Sequence, residues 1–382
     1  MKWFTFIMLF LSPSTWAQDS TAAEKKWVLN GYVKDMQTLY FNKNFDSLVS
    51  GNLVHNRINV KWKPAKTFTM AAEFRNRLFW GEEISNIPNY SEQLRNENEL
   101  VNMSIIWIQK SNLVLHTNVE RLWMEYNKSK WTARLGRQRI NWGITTTWNP
   151  NDIFNTYNFL DFDYEERPGT DAAKVQYRFN DFSHVEMAIF PGNSEFKPVG
   201  ALKYYVNKSG YDIQLLAGIY QERFTMGTGW AGSIKDAGFK GEIQYFFPGN
   251  DSAGILNISL ESDYVLKNGW YINGSLLFNS EGFSQPITDW NSVNFKLSPV
   301  SLMPTEWNFM VGTGKEFTPR FSGNLGLLYA PGTNLVILLP SFKYNLATNL
   351  DADLVWQSFF SELEDGFSAV NHRIFLRLKW SF

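Results

Sequence analysis

The chain contains no cysteine. That absence excludes a disulfide framework, and it excludes a lipid-attachment cysteine behind an export signal. The net charge is only −1, from 36 Lys and Arg against 37 Asp and Glu. No bulk polarity therefore draws the chain to nucleic acid or to an anionic membrane surface. Past its first residues the chain also lacks any apolar run of about 18 residues, which excludes ordinary membrane-spanning helices. Histidines number four, on separate segments with no H-x-x-x-H spacing, so no metal site is read from them. Serines are plentiful, yet none is paired with a recognisable base, and neither an enzyme activity nor a cofactor is expected.

What the chain does have is aromatics, 16% of its residues including 16 Trp, and alternation. Residues 1–17 read as an export signal: Lys2 as a short positive region, Trp3 to Leu11 as the apolar stretch, and Thr15-Trp16-Ala17 at the cleavage position. The apolar stretch is far shorter than the ~20 residues of a spanning helix. Residues 18–382 then form one unit. Ile58, Val60 and Trp62 share one face of a strand, with Arg57, Asn59 and Lys61 on the other. Phe74, Leu78 and Trp80 likewise oppose Glu73, Arg75 and Arg77. The last strand is the clearest, with Ile374, Leu376, Leu378, Trp380 and Phe382 opposing Arg373, Arg377 and Lys379.

Such strands recur along the chain, separated by turns such as Lys267-Asn268-Gly269, an Asn-Gly hairpin signal. They number about 18, an even count that leaves both termini on one rim. One set of alternate connections is short throughout. The other contains the three long ones: Gly81 to Asn112, Gly143 to Asp171 and Ser280 to Pro304. Short turns on one rim and long loops on the other, around strands apolar on one face, predict an all-β, transmembrane antiparallel β-barrel with short periplasmic turns. The long loops are extracellular or folded inward.

The central loop organises the rest. Connections are usually about 4–6 residues, and much longer ones are functional or disordered. Trp148, Ile153, Phe154, Tyr157, Phe159, Leu160, Phe162 and Tyr164 are too apolar for disorder. Asp152, Asp161, Asp163, Glu165 and Glu166 are interleaved with them and need water. A wet barrel interior offers both surfaces, so the loop is expected against the inner wall. The segment Ser280 to Pro304 is the better surface tip. Arg75, Arg77 and Arg139 lie on strands near the loop. They read either as a solvated rim of charge or as a basic wall facing the acidic loop. In the second reading Arg75, Arg77, Arg139, Asp152, Asp161, Asp163, Glu165 and Glu166 form the pore constriction. Arg134 alternates against Arg137 and Arg139, so all point inward only if a bulge intervenes, which Gly136 could supply. Arg373 and Arg377, on the last strand, are expected to lie away from the loop.

Three further signals have plain readings. Gly227-Thr228-Gly229-Trp230-Ala231-Gly232 satisfies G-x-G-x-x-G, but it leads into a strand and a turn instead of a helix, so it is not a phosphate site. Asn127-Lys128-Ser129 and Asn207-Lys208-Ser209 are turns before they are glycosylation sites. Trp62, Trp80, Trp123, Trp131, Trp142, Trp270, Trp356 and Trp380 sit near strand ends and read as headgroup-level girdles.

At Gly136-Arg137-Gln138, Trp142-Gly143, Asn149-Pro150-Asn151-Asp152 and Pro168-Gly169 the chain resembles Gram-negative outer-membrane barrels related to alginate-export-type porins, particularly Bacteroidetes-like versions. Phe382 is similar to the aromatic C-terminus by which the barrel-assembly machinery recognises such clients. The resemblance implies an outer-membrane barrel embedded in lipid with a porin-like role. Alginate-export barrels line their pore heavily with Arg and Lys, whereas Glu73, Glu186, Glu242, Glu261, Asp263, Asp351 and Asp353 are mixed in here. The expected function is therefore a passive or weakly selective channel for small hydrophilic solutes. The alternatives are an accessory barrel exporting a polysaccharide or lipid with a periplasmic partner, and a surface-binding protein. Neither the solute nor the oligomeric state is given by the sequence.

Overall fold

The computed structural model describes residues 25–94, 99–156, 158, 160–162, 168–249, 253–287, 297–363 and 366–382. The strands are β1 (Trp27–Asn42), β2 (Leu48–Ala65), β3 (Phe68–Gly81), β4 (Ser104–Lys110), β5 (Leu113–Lys128), β6 (Trp131–Gln138) and β7 (Thr170–Asn180). There follow β8 (Ser183–Phe190), β9 (Val199–Lys208), β10 (Tyr211–Tyr220), β11 (Arg223–Ile234), β12 (Ala237–Phe246) and β13 (Ile255–Val265). The series ends with β14 (Tyr271–Asn279), β15 (Trp307–Thr318), β16 (Phe321–Ala330), β17 (Leu335–Ala347), β18 (Leu350–Leu363) and β19 (Gly366–Ser381).

Every pairing between named strands is antiparallel, and β1 pairs with β19 from Tyr32↔Ser381 to Asn42↔Asn371, so the sheet closes. Closure leaves no edge, the condition a strand protein must meet in lipid, where unpaired backbone groups find no water. The wall is an 18-stranded barrel. The additional strand is β4. It pairs with β5 from Ser104↔Asn118 to Lys110↔Leu113, along the edge that β6 leaves free because β6 pairs only with Leu122 to Lys128. The first long excursion thus holds a turn of 3-10 helix at Glu92–Leu94 and the strand β4. A helix at Glu82–Asn86, hereafter α1, was not apparent from the pattern.

Alternation sorts the two faces. Leu354, Leu376, Leu378 and Trp380 are exposed outward, while Val355, Phe375 and Arg377 between them are buried inward. Trp27 stacks on Trp62 at 5.4 Å and Trp131 packs on Tyr177 at 4.7 Å, at the short-turn rim where girdle residues belong. Two of the eight expected girdle tryptophans are not on the outside. Trp123 follows the exposed Leu122 and carries the Arg134 guanidinium over its ring at 4.1 Å on the lumen side. Trp142 lies beyond the end of β6 and is 1% exposed inside the barrel. The strand stops at Gln138 instead of continuing to Trp142, because from Ile140 on the backbone bonds to loop side chains instead of to a neighbouring strand.

The inward face becomes apolar where the long connections dock. Ile140, Trp142, Ile153 and Phe154 pack on wall residues that include Ala188, Leu216 and Phe246. Trp148 packs with Leu277, Leu328 and Ile337, and Leu302 and Met303 join them. The descending limb of the third loop is therefore folded inward, with Met303 0% exposed, and Asn279 Nδ2 donates to its carbonyl at 2.9 Å. This corrects the reading of that loop as a surface tip for its descending limb alone, since Glu281 and Phe283 to Pro286 are exposed. Its middle, 288–296, lies outside the described residues.

Candidate functional site

The loop between β6 and β7 is fastened to the wall by carboxylates. Glu242 on β12 is fully buried and accepts from the Thr145 amide at 2.7 Å, the Thr145 hydroxyl at 2.9 Å and the Asn151 amide at 2.8 Å, as well as from Ile144 N and Asn149 Nδ2. Glu261 on β13 accepts from the amide and hydroxyl of Thr146 at 2.8 and 2.7 Å. On β8, Glu186 accepts from the Trp142 indole, and Gln214 on β10 donates to the Trp142 carbonyl at 2.7 Å. A loop cannot be buried with its amides unsatisfied, and these side chains supply the missing acceptors.

The sequence signature around this loop is the fastening itself. Asn149 and Asn151 meet Glu242, while Asp152 accepts from Trp142 N at 3.2 Å. Asn155 donates to the Pro168 carbonyl and to the Thr170 hydroxyl, both at 2.7 Å. The glycine-rich run on β11 also has its explanation here. A Cβ at Gly227 or Gly229 would come within 2.7 and 2.9 Å of the Asn151 side-chain amide, so glycine is what lets the loop reach the wall.

The basic wall is built by two local irregularities. The pairing of β3 with β5 slips between Glu73 and Phe74, so that Glu120 and Arg121 both turn inward. Across from it Gly136 takes φ +113°, where a Cβ would lie 2.3 Å from the Leu122 carbonyl. The pairing of β6 runs through Gly136 without a shift, so the bulge expected there is not formed: Arg134 stays opposite Glu125, Arg137 is buried and Arg139 is left exposed. Arg137 is fully buried and joins Asp171 at 2.8 Å to Glu99 at 2.9 Å. Asp171 in turn accepts from the amides of Leu100 and Val101 at 2.7 and 3.3 Å, tying the first long excursion to the second.

Of the residues read as a constriction, Arg75, Arg77 and Asp161 line one cavity of about 810 Å³, together with Phe162, Glu83 and Arg373. Arg75 is committed to Glu120 at 3.1 Å, and Arg77 donates to His116 at 3.1 Å. Arg139 is exposed just past β6 and is not among the lining residues. Asp152 is buried beneath the loop. Asp163, Glu165 and Glu166 lie outside the described residues. Arg373 and Arg377 are not distant from the loop, contrary to expectation. The loop crosses the lumen, so that Gln357 Nε2 donates to the Leu160 carbonyl at 2.9 Å and the Arg377 guanidinium covers the Phe162 ring at 4.2 Å.

Glu99 is a titratable latch. Burial pushes its carboxyl from 4.5 up to about 6 against the pull of Arg137, which it shares with Asp171. Burial likewise raises Glu83, which Arg373 pulls back. Because docking raises the Glu99 pKa, docking is strongest below the ordinary value and weakens as pH climbs through about 6. Hydrogen exchange at Leu100 and Val101, corrected for intrinsic rates, should therefore lose protection between pH 4.5 and 6. Protection that rises over that range would contradict the assignment. Among the described residues, no group of three or more His, Asp or Glu could hold a metal.

With the barrel and its inward loop in place, solved structures offer a direct comparison. OccAB4 of Acinetobacter baumannii is similar over 94% of this chain and 100% of its own, with 10% identity and a TM-score of 0.57. OccK8 (OprE) of Pseudomonas aeruginosa gives 94% and 98%, 10% identity and 0.58. The chain has a porin-type barrel fold. OpdK of Pseudomonas aeruginosa, solved with vanillate, is similar over 93% of this chain and 99% of its own, at 10% identity and 0.55. These neighbours are Gram-negative outer-membrane porins, and at such identities the likeness is one of fold. No family model matches the chain, and no curated protein matches it in sequence.

The wall anchors Glu186, Glu242 and Glu261 were read from the sequence only as acids scattered through the lumen. One signal did mark Glu242. Its cross-strand neighbours are Gly229 and Ser259, so no cation balances it within the sheet and its partners must come from elsewhere. A second signal lay in the strands themselves, which carry apolar residues on both faces near the long-loop rim, as Ala188 to Phe190 and Leu335 to Leu338 do.

Proposed function

We propose that the protein is a non-enzymatic outer-membrane channel through which small hydrophilic solutes diffuse, narrowed by its inward loop. The carrying observation is the cavity between that loop and the β2–β3–β19 wall, where Arg77 and Arg373 share the lining with Asp161. An 18-stranded barrel is wide enough for water, and the loop leaves only part of that width. The likeness to Occ porins supports the reading. So does the exterior, which over β7 to β19 carries an apolar band suited to outer-membrane lipid.

Export through a signal at 1–17, maturation to 18–382 and recognition of Phe382 by the assembly machinery belong to the same proposal. A relation to alginate-export-type barrels, with a Bacteroidetes-like origin, belongs to it too, because the residues that carry the resemblance are those that dock the loop. The constriction is refined from the residues first considered: Arg77 and Arg373 form its basic side and Asp161 its acidic side, Arg75 being held by Glu120.

Planar-bilayer recording with reversal potentials tests this. Charges farther than ~8 Å from a passing ion are largely screened at physiological salt, so only lining charges at the narrows should count. Arg77→Gln with Arg373→Gln should shift selectivity toward cations, and Asp161→Asn toward anions. Lys343→Gln, near the short-turn rim and paired with Asp351 at 3.0 Å, should leave it unchanged. A channel silent at every voltage, or one shifted equally by Lys343→Gln, refutes the proposal.

A further inference from the structure

The outer surface of the barrel is not apolar all the way round. Outward-facing positions alternate along β1 from Trp27 to Phe41, and in mid-row, between Val33 and Leu39, stand Asp35 and Gln37. The stripe continues onto the neighbours. Gln37 faces Asn52 and Val33 faces Asn56 on β2, Asn56 faces Asn76 on β3, and Asn76 faces Thr117 on β5. Across β7 to β19 the mid-strand outward positions, among the described residues, carry apolar, aromatic, glycine, serine and threonine side chains, with His372 on β19 stacked beneath Phe45 and bonded to Ser358. Amides and a carboxylate on the outside are confined to one quarter of the wall.

Part of this stripe satisfies itself. The Trp107 indole on β4 donates to Thr117 at 3.0 Å, Thr117 donates to Asn76 at 2.8 Å, and Asn76 donates to Asn56 at 3.1 Å. Asn56 ends the chain on the Tyr32 carbonyl at 3.2 Å. Asp35 is left with a 3.5 Å contact from Gln37, beyond an ordinary hydrogen bond, and it is exposed. In hydrocarbon neither water nor an acyl chain can satisfy a carboxylate, and polar side chains held at that depth are costly unless a neighbour covers them. Beside the stripe Ile105 and Trp107 stand 52% and 62% exposed.

We propose that this face is where copies of the chain associate side by side in the membrane. A soluble partner cannot reach mid-strand depth, so the occupant is itself embedded. Copies related by an axis along the membrane normal keep the same depth, so a stripe at one level meets a stripe at the same level in its neighbour. The chemistry also matches itself. The β1 end ends in an acceptor, Asp35, and the β3–β5 end carries Asn76, whose amide gives one of its two N–H groups to Asn56. Apposing one end with the other supplies Asp35 with a donor and covers the exposed Trp107 ring.

The absence of native cysteine makes the test direct. A Gln37→Cys, Thr117→Cys double variant, oxidised in native outer membranes, should give covalent species at whole multiples of the chain mass. Ile258→Cys, outward on β13, should give none. Native mass spectrometry of the unmodified protein in mild detergent should show the same multiples. Asp35→Leu with Gln37→Leu makes the stripe more lipid-like. It should lower the associated fraction roughly tenfold or more, while heat-modifiable migration and conductance in bilayers persist. A monomer by mass without crosslinking overturns the proposal. So do crosslinks to a chain of another mass, crosslinks as strong at Ile258, or association unchanged by the two leucines.

Discussion

Replacing Glu242 by alanine is expected to raise single-channel conductance severalfold. Its carboxylate is the acceptor for three backbone amides of the loop, Ile144, Thr145 and Asn151, and for two side chains. Alanine strands these donors inside the barrel. Each buried group left without a partner costs roughly 1–3 kcal/mol, and hydrogen bonds to a charged acceptor are the stronger kind. These losses weaken a loop otherwise anchored by Glu261, Glu186 and Gln214. The loop should leave the wall and uncover a lumen that it now narrows. Glu242→Gln, which keeps one carbonyl acceptor but not the charge, should fall between alanine and the native residue. Conductance that does not change even when Glu242→Ala is combined with Glu261→Ala would mean that ions do not pass beside this loop.

The second large effect is on stability. Leu376 and Leu378 are 46% and 49% exposed on the outer face of β19, flanking the inward Arg377. An arginine on the lipid face costs roughly 2–4 kcal/mol at the bilayer midplane and little near the interfaces. Leu376→Arg should therefore lower unfolding stability in phospholipid vesicles by about that amount, as read by urea titration. Asn324→Arg, inward on β16 and exposed to the lumen, should change it little. Gln357 is inward as well, but it is buried and holds the Leu160 carbonyl, so an arginine there disturbs the loop and is no test of face. Equal losses at Leu376 and Asn324 would reverse the assignment of inside and outside.

The barrel could be read from the chain because its physics is local and periodic. Residues such as Leu376 and Arg377 sort by parity alone, and the short turns at Lys128 and Lys267 mark hairpins without knowledge of the rest. That the central loop goes inward could also be argued, since Trp148 and Phe154 had to be buried somewhere. Where it goes could not. Its path depends on Glu242 and Glu261, more than ninety residues away in sequence, and the lack of a cation opposite Glu242 shows only once the strands are in register. The constriction suffered from the same gap. Arg139 has the composition of a pore residue, but β6 ends at Gln138 and leaves it exposed, while Arg137 is buried against Asp171 and Glu99. Arg377 was thought remote because β19 is last in sequence. In a closed cylinder the last strand is the neighbour of the first, and a loop that crosses the interior can reach any of them.

That crossing also implies an order of events. The loop emerges between β6 and β7, its principal acceptors stand on β8 to β13, and its far end rests on Gln357 and Arg377, the last to be synthesised. A finished cylinder, sealed by Gly31 and Phe382 exchanging two backbone hydrogen bonds of 3.0 Å, would oblige the loop to enter from above past the other two long connections. An open half-shell of β7 to β14 would let it settle sideways onto Glu242 and Glu261 beforehand. In that sequence the loop is a former, around which the remaining strands are wrapped and against which β18 and β19 come to rest before the seam is drawn shut.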